Sequence, residues 1–309
     1  MKLTARSRPE RWLEALDDAD DALVQRALGH KSGLVVARAA KLGPQHHELL
    51  VGGFERLLVA GAVRDPGCSG KVAVLEALGE EAPQELLERA AVYRQPEKSW
   101  GPPVDTAGGV RARAVLTMVD RRELDAPMYL GLLLADASVS CRRAGYEGLA
   151  AWGDEVLAGA LIRMRVELGE DEPDALGAAF DSLLELSPDL HGPYVVGCLK
   201  RKAVVAECAA LSLGAARLDV LGDLVGFYRS AKENQTAATA LVAIGLLRSE
   251  PSIEALLEVV DDGTLDEAEA ALDGLAVHLG DAEVVARVRE VLVERGTPEL
   301  VTTWDRKEA

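Results

Sequence analysis

Residues 139–167 read VSCRRAGYEGLAAWGDEVLAGALIRMRVE. Apolar and small residues recur every three to four positions up to Trp152, which is the spacing of one helix face. Gly153-Asp154 then breaks the run: glycine suits a helix end, and aspartate suits the cap of the next helix. A second amphipathic stretch follows over 155–167. A pair of helices this short cannot bury its apolar faces alone. The same arrangement returns along the chain, with one apolar position traceable as Leu42, Leu78, Met118, Leu149, Leu183, Leu211, Ile244 and Leu275. The spacings are 36, 40, 31, 34, 28, 33 and 31 residues. A period near 33 marks a two-helix repeat stacked on its neighbours, so the expected fold is all-α, an α-solenoid of about eight helix pairs.

Finer detail supports the period. Asp65, Asp105 and Asp136 are each followed six residues later by a base, Lys71, Arg111 and Arg142, and seven residues after that by Leu78, Met118 and Leu149. Aspartate ahead of an apolar-periodic run is a natural N-cap. The base, about a turn and a half into the helix, is placed to reach the aspartate of an adjacent repeat. The positions aligned with Arg142 near the C-terminus are Ala237 and Ala268, so a charge ladder is confined to the N-terminal half. Taken as surface ion pairs, the ladder would affect register more than stability.

These features resemble the HEAT-repeat family, especially the short bacterial HEAT-like units also seen in phycobilisome lyases. The resemblance is clearest over residues 139–154 and extends over roughly 30–295. It implies a right-handed superhelix with the second helices lining a concave binding face. First helices are expected near 34–42, 69–79, 109–120, 139–152, 174–186, 203–214, 235–247 and 265–279. Partner helices are expected near 45–60, 83–93, 127–135, 155–167, 193–200, 218–229, 252–260 and 282–294. The domain reading is capping helices over 1–29, a repeat array over 30–296, and a tail over 297–309 that frays unless Trp304 docks.

Two irregularities interrupt the array. The 40-residue spacing admits a loop, residues 95–109, whose Pro-Pro and Gly-Gly exclude helix. Trp100 within it either marks a binding loop or covers a gap between repeats. The 28-residue spacing, near Ser187-Pro188 and Pro193, predicts a shortened helix.

The chain of 309 residues is 49% hydrophobic and only 4% aromatic, so aliphatic side chains must make the core. It contains no apolar run of the ~18 residues that span a bilayer. The basic N-terminus lacks an apolar signal region, and the four cysteines form no CxxC, which together point to the cytoplasm. Net charge is −17. Residues 1–100 carry 14 Lys/Arg against 15 Asp/Glu, 101–165 carry 8 against 8, and 166–309 carry 12 against 28. The acidic C-terminal half disfavours extended contact with nucleic acid.

No catalytic, cofactor or metal-binding set is readable. Residues 65–72 (DPGCSGKV) echo a P-loop but lack its first Gly, its Ser/Thr and an upstream strand. His46-His47-Glu48 has no third ligand at HExxH spacing, and the acidic run 167–174 reads as a solvated loop. Arg142-Arg143, Arg163 with Arg165, and Lys200-Arg201-Lys202 are the densest basic positions. Under the resemblance, Arg163, Arg165 and Arg229 on second helices face a ligand, and Tyr93, Tyr129 and Tyr228 supply amphipathic contacts. With Trp100 these are the candidate partner-binding residues. The expected function is a non-enzymatic scaffold gripping a protein or peptide on its concave face. The alternatives are an accessory or lyase-like protein handling a small cofactor, and a relative of the HEAT-like DNA glycosylases.

Overall fold

The computed structural model describes residues 7–308, which form two compact units, one ending at Trp152 and the other beginning at Gly153. The first unit comprises α1 (Pro9–Leu16), α2 (Asp21–Leu28), α3 (Gly33–Leu42), α4 (His47–Leu58), α5 (Gly61–Arg64), α6 (Ser69–Leu78), α7 (Gln84–Ala91), α8 (Gly108–Asp120), α9 (Ala126–Leu134) and α10 (Val139–Trp152). Between α7 and α8, β1 (Pro96–Glu97) and β2 (Val104–Asp105) pair antiparallel as a short hairpin. The second unit comprises α11 (Glu155–Glu167), α12 (Pro173–Leu186), α13 (Pro188–Cys198), α14 (Ala203–Ala215), α15 (Leu221–Ser230), α16 (Asn234–Leu246), α17 (Glu250–Asp262), α18 (Leu265–Leu275), α19 (Ala282–Arg295) and α20 (Pro298–Glu308). The fold is all-α. No described helix is long and apolar enough to cross a membrane.

Local chemistry sets the helix ends. Asp154 and Asp281 accept backbone N–H groups at the starts of α11 and α19, and Thr264 with Glu267 forms a capping box on α18. Each cap satisfies donors the helix itself leaves unpaired, worth about 1 kcal/mol.

Packing runs along rows. In the first unit α3 packs on α6, α6 on α8 and α8 on α10, while α4, α7 and α9 lie against the same row. In the second, α12, α14, α16 and α18 pack successively, with α13, α15 and α17 alongside. Six of the eight traced positions are buried: Leu78, Met118, Leu149, Leu183, Ile244 and Leu275. Leu42 and Leu211 are exposed. In α14 the buried place belongs to Leu213, two residues on, so the 28-residue spacing becomes 30. The shortened helix expected there is absent. Pro188 occupies the first turn of α13, where its missing N–H costs nothing, and α12 and α13 run 14 and 11 residues.

The tail does not fray. Residues 298–308 form α20, which packs on α18 and α19 with Leu300 and Trp304 buried. These residues are four apart and so share one helix face.

Candidate partner-binding site

The Asp-to-base pairs are not surface ion pairs. Lys71 Nζ donates to Asp65 Oδ2 at 3.0 Å, and both side chains are buried. Asp65 also accepts the amides of Gly70 (2.8 Å) and Lys71 (3.0 Å), which caps α6 from the preceding loop. Lys71 therefore serves its own loop, and the P-loop-like stretch closes on this carboxylate.

Arg111 reaches further, to the next helix pair. Its Nε and Nη2 hold Asp136 in a bidentate pair at 3.0 Å, while Nη1 donates to Asp105 and to the Tyr93 carbonyl, both at 2.8 Å. Arg142 donates to the Asp136 and Ala137 carbonyls at 3.0 Å. Buried and fully bonded, these groups cannot be removed one at a time without exposing an unpaired partner to a low dielectric. The ladder thus bears on stability as well as register.

This network fixes the root of the hairpin. Glu97 Oε1 accepts from the Gly67 amide (2.8 Å), Gln95 Nε2 (2.7 Å) and Thr106 Oγ1 (2.6 Å), which together hold its carboxyl below the usual range. Gln95 also donates to the Asp65 carbonyl at 2.9 Å and accepts the Tyr93 hydroxyl at 2.8 Å. Burial pushes the Asp105 carboxyl up. The amides of Gln95 and Ala107 and the guanidiniums of Arg94 and Arg111 outweigh it and bring the carboxyl down to about 2.

On this root the hairpin carries Trp100 at its tip, fully exposed (109%). The tryptophan does not cover a gap. Ser99 braces the tip: its hydroxyl donates to the Pro102 carbonyl at 2.6 Å and accepts the Gly101 amide at 3.1 Å. Beside the root, a groove of ≈ 330 Å³ is lined by the exposed Val92 and Leu132 and floored by the Arg111–Asp136 pair. Helix α9 (APMYLGLLL) has no charged residue, yet Met128 and Leu132 on it, and Leu124 just before it, lie open at a spacing of four. Together they leave apolar area on and just before α9 in contact with water.

The other sequence-derived candidates fare differently. Tyr129 is half-buried on α9. Tyr93 belongs to the hairpin root. Arg163 does not stand free: its guanidinium lies 4.3 Å from the centre of the Tyr194 ring, which Arg201 also approaches at 5.5 Å. Tyr194 in turn donates to Glu167 at 2.9 Å. Arg165 pairs with Glu170 at 3.3 Å, and Glu170 is buried, so the run 167–174 is not simply a solvated loop. Tyr228 donates to Glu267 at 2.8 Å, and burial together with that bond pushes its phenol up to about 12. Tyr228 and the exposed Arg229 both line a second cavity, in the other unit.

The cysteines are free, and the His46-His47 pair is engaged elsewhere. Cys68, Cys141 and Cys198 are buried thiols pushed up by desolvation, and Cys208 rises to about 11, so none is poised as a thiolate. His46 contacts Asp21 and His47 contacts Glu81, each at 2.7 Å. Among the described residues no cluster of His, Cys, Asp or Glu is arranged to hold a metal.

Gln95, Glu97 and Thr106 carry no signal of this role in the sequence, because β1 and β2 are two residues each. No protein-family model matches the chain, and no curated protein matches it.

Proposed function

We propose that this chain is a non-catalytic scaffold, each unit a right-handed run of HEAT-like helix pairs, that binds a protein or peptide with the Trp100 hairpin as anchor. The observation that carries the reading is a fully exposed tryptophan held on a polar-locked root beside an open apolar groove. Tryptophan is among the residues enriched as interface anchors, because it buries a large area at low entropic cost. A rigid mount lowers that cost further.

The repeat architecture draws support from side-chain donors that reach back by about one period. Gln95 bonds the Asp65 carbonyl 30 residues earlier, Cys141 that of Gly108 at 33, and Arg121 that of Ala82 at 39. In the second unit His191 reaches Glu155 at 36 and His278 reaches Gly245 at 33. Each bond spans about one helix pair along the chain.

Affinity capture comparing wild type with Trp100→Ala tests the reading, with circular dichroism confirming an unchanged fold. A polypeptide retained at near-stoichiometric yield by wild type and reduced at least tenfold by the variant is expected. Equal capture by both proteins, or none by wild type, overturns it.

A further inference from the structure

The cavity beside Tyr228 lies at a position that recurs along the helix rows. In α8 and α10 the fourth residue is a buried base, Arg111 or Arg142, and in α12, α14 and α18 it is Leu176, Ala206 or Ala268, also buried. In α16 the fourth residue is Ala237, which, like Val72 at the same place in α6, is half-open. A cavity of ≈ 460 Å³ lies against it, floored by Ala237, Leu241 and Ala270. That volume is in the range of about 300–1,000 Å³ typical of ligand sites.

Ala237 occupies in α16 the helix position that Arg111 occupies in α8. Arg111, from the fourth position of α8, lies on the carbonyl of Tyr93 and on two carboxylates. At Ala237 the side chain stops at Cβ, and the cavity is lined by Tyr228 and by carboxylates from Glu233, Asp266 and Glu267. Glu267 is engaged by Tyr228 and Thr264, and Asp266 Oδ2 accepts Asn234 Nδ2 at 3.0 Å. Asp266 Oδ1 and the Glu233 carboxylate, both in the cavity lining, accept no hydrogen bond among the described residues. Arg229 and Lys232 also line it, leaving three carboxylates against two cations. The surrounding segment carries 12 Lys/Arg against 28 Asp/Glu, which concentrates cations at such a cleft.

We infer that this cavity is a binding site for a guanidinium group, the arginine side chain of a partner polypeptide, which takes the place that Arg111 fills from within its own unit. The guanidinium donates to Asp266 and Glu233, and its methylenes lie on the alanine and leucine floor. Only the source of the guanidinium rests on the proposed partner-binding role.

Isothermal titration of the full chain with Nα-acetyl-arginine-N-methylamide, and with the corresponding glutamate derivative, tests the site directly. Saturable binding of the arginine probe is expected, weakened at least tenfold by Ala237→Leu, which fills the floor. Asp266→Asn, on an exposed first turn, is expected to weaken it comparably and stands as the test if Ala237→Leu fails to fold. Absence of saturable arginine binding, binding unaltered by the folded variants, or preference for the glutamate probe overturns the inference. The titration involves neither partner nor hairpin, so its failure leaves the Trp100 reading intact, and the converse holds.

Discussion

The two units differ in how neighbouring helices of a row are joined. In the first, α8 and α10 meet at their starts through the buried Arg111–Asp136 pair, while α3 and α6 meet at glycine, a Cβ at Gly70 falling 2.8 Å from the Gly33 carbonyl. In the second, α14, α16 and α18 approach backbone to backbone. A Cβ added at Gly245 would lie 2.1 Å from the Gly274 carbonyl, and one at Gly214 2.3 Å from that of Ala243. Charged ladders tolerate distance because long side chains span it. Glycine contacts tolerate none. The lesson is that one helix row can be specified either by what side chains reach or by what they leave out.

The sharpest way to break this contrast is Lys71→Ala, which strands the buried Asp65 carboxylate. A loss of about 3–5 kcal/mol is expected, measured by urea unfolding followed by circular dichroism. Gly245→Ala attacks the other unit. Overpacking against a carbonyl is expected to cost about 2–3 kcal/mol in the same assay, since backbone cannot rotate away as a side chain does.

A third expectation concerns acid. The Asp105 and Asp136 carboxyls are lowered in the folded chain, so their contribution is fully present above the ordinary value of 3.8. It is lost as pH falls from 3.8 toward about 2, the folded value of Asp105. On the order of 1–2 kcal/mol is expected after discounting for solvent screening, read as a steepening fall of melting temperature below pH 4. Arg111→Met should flatten that limb. The smallest effect belongs to Ala237→Arg, which supplies from within what the cavity lacks. A gain of up to about 1 kcal/mol in thermal unfolding is expected, and an unchanged or lowered melting temperature would count against the likeness between Ala237 and Arg111.

Much of this was legible in the sequence, and the reasons it stopped are physical. The helix pairs follow from apolar periodicity, a signal carried by many residues at once. The Asp-to-base spacing was visible too, but not its burial: six residues of separation fix who can meet, while enclosure depends on neighbours 30 or more residues away. Exposure of Trp100 depends on a hairpin whose strands are two residues each, too short for any periodic pattern to show. Arg163 and Arg165 look alike in sequence. Their partners, Tyr194 and Glu170, lie on another helix and a following loop, which no spacing rule links. The cavity at Ala237 is subtler still: Ala237 and Ala268 both align with Arg142, yet only the first is half-open, and that depends on neighbours the alignment does not show.

The hairpin also gives the molecule an optical handle. Trp12 and Trp304 are buried, Trp152 is partly covered, and Trp100 stands wholly in water. Its indole should emit at the red edge of the protein's fluorescence and be the one most readily quenched by acrylamide. Whatever settles on the tip would shift that emission to the blue and shield it from collisions, so an encounter at this site would report itself without any label.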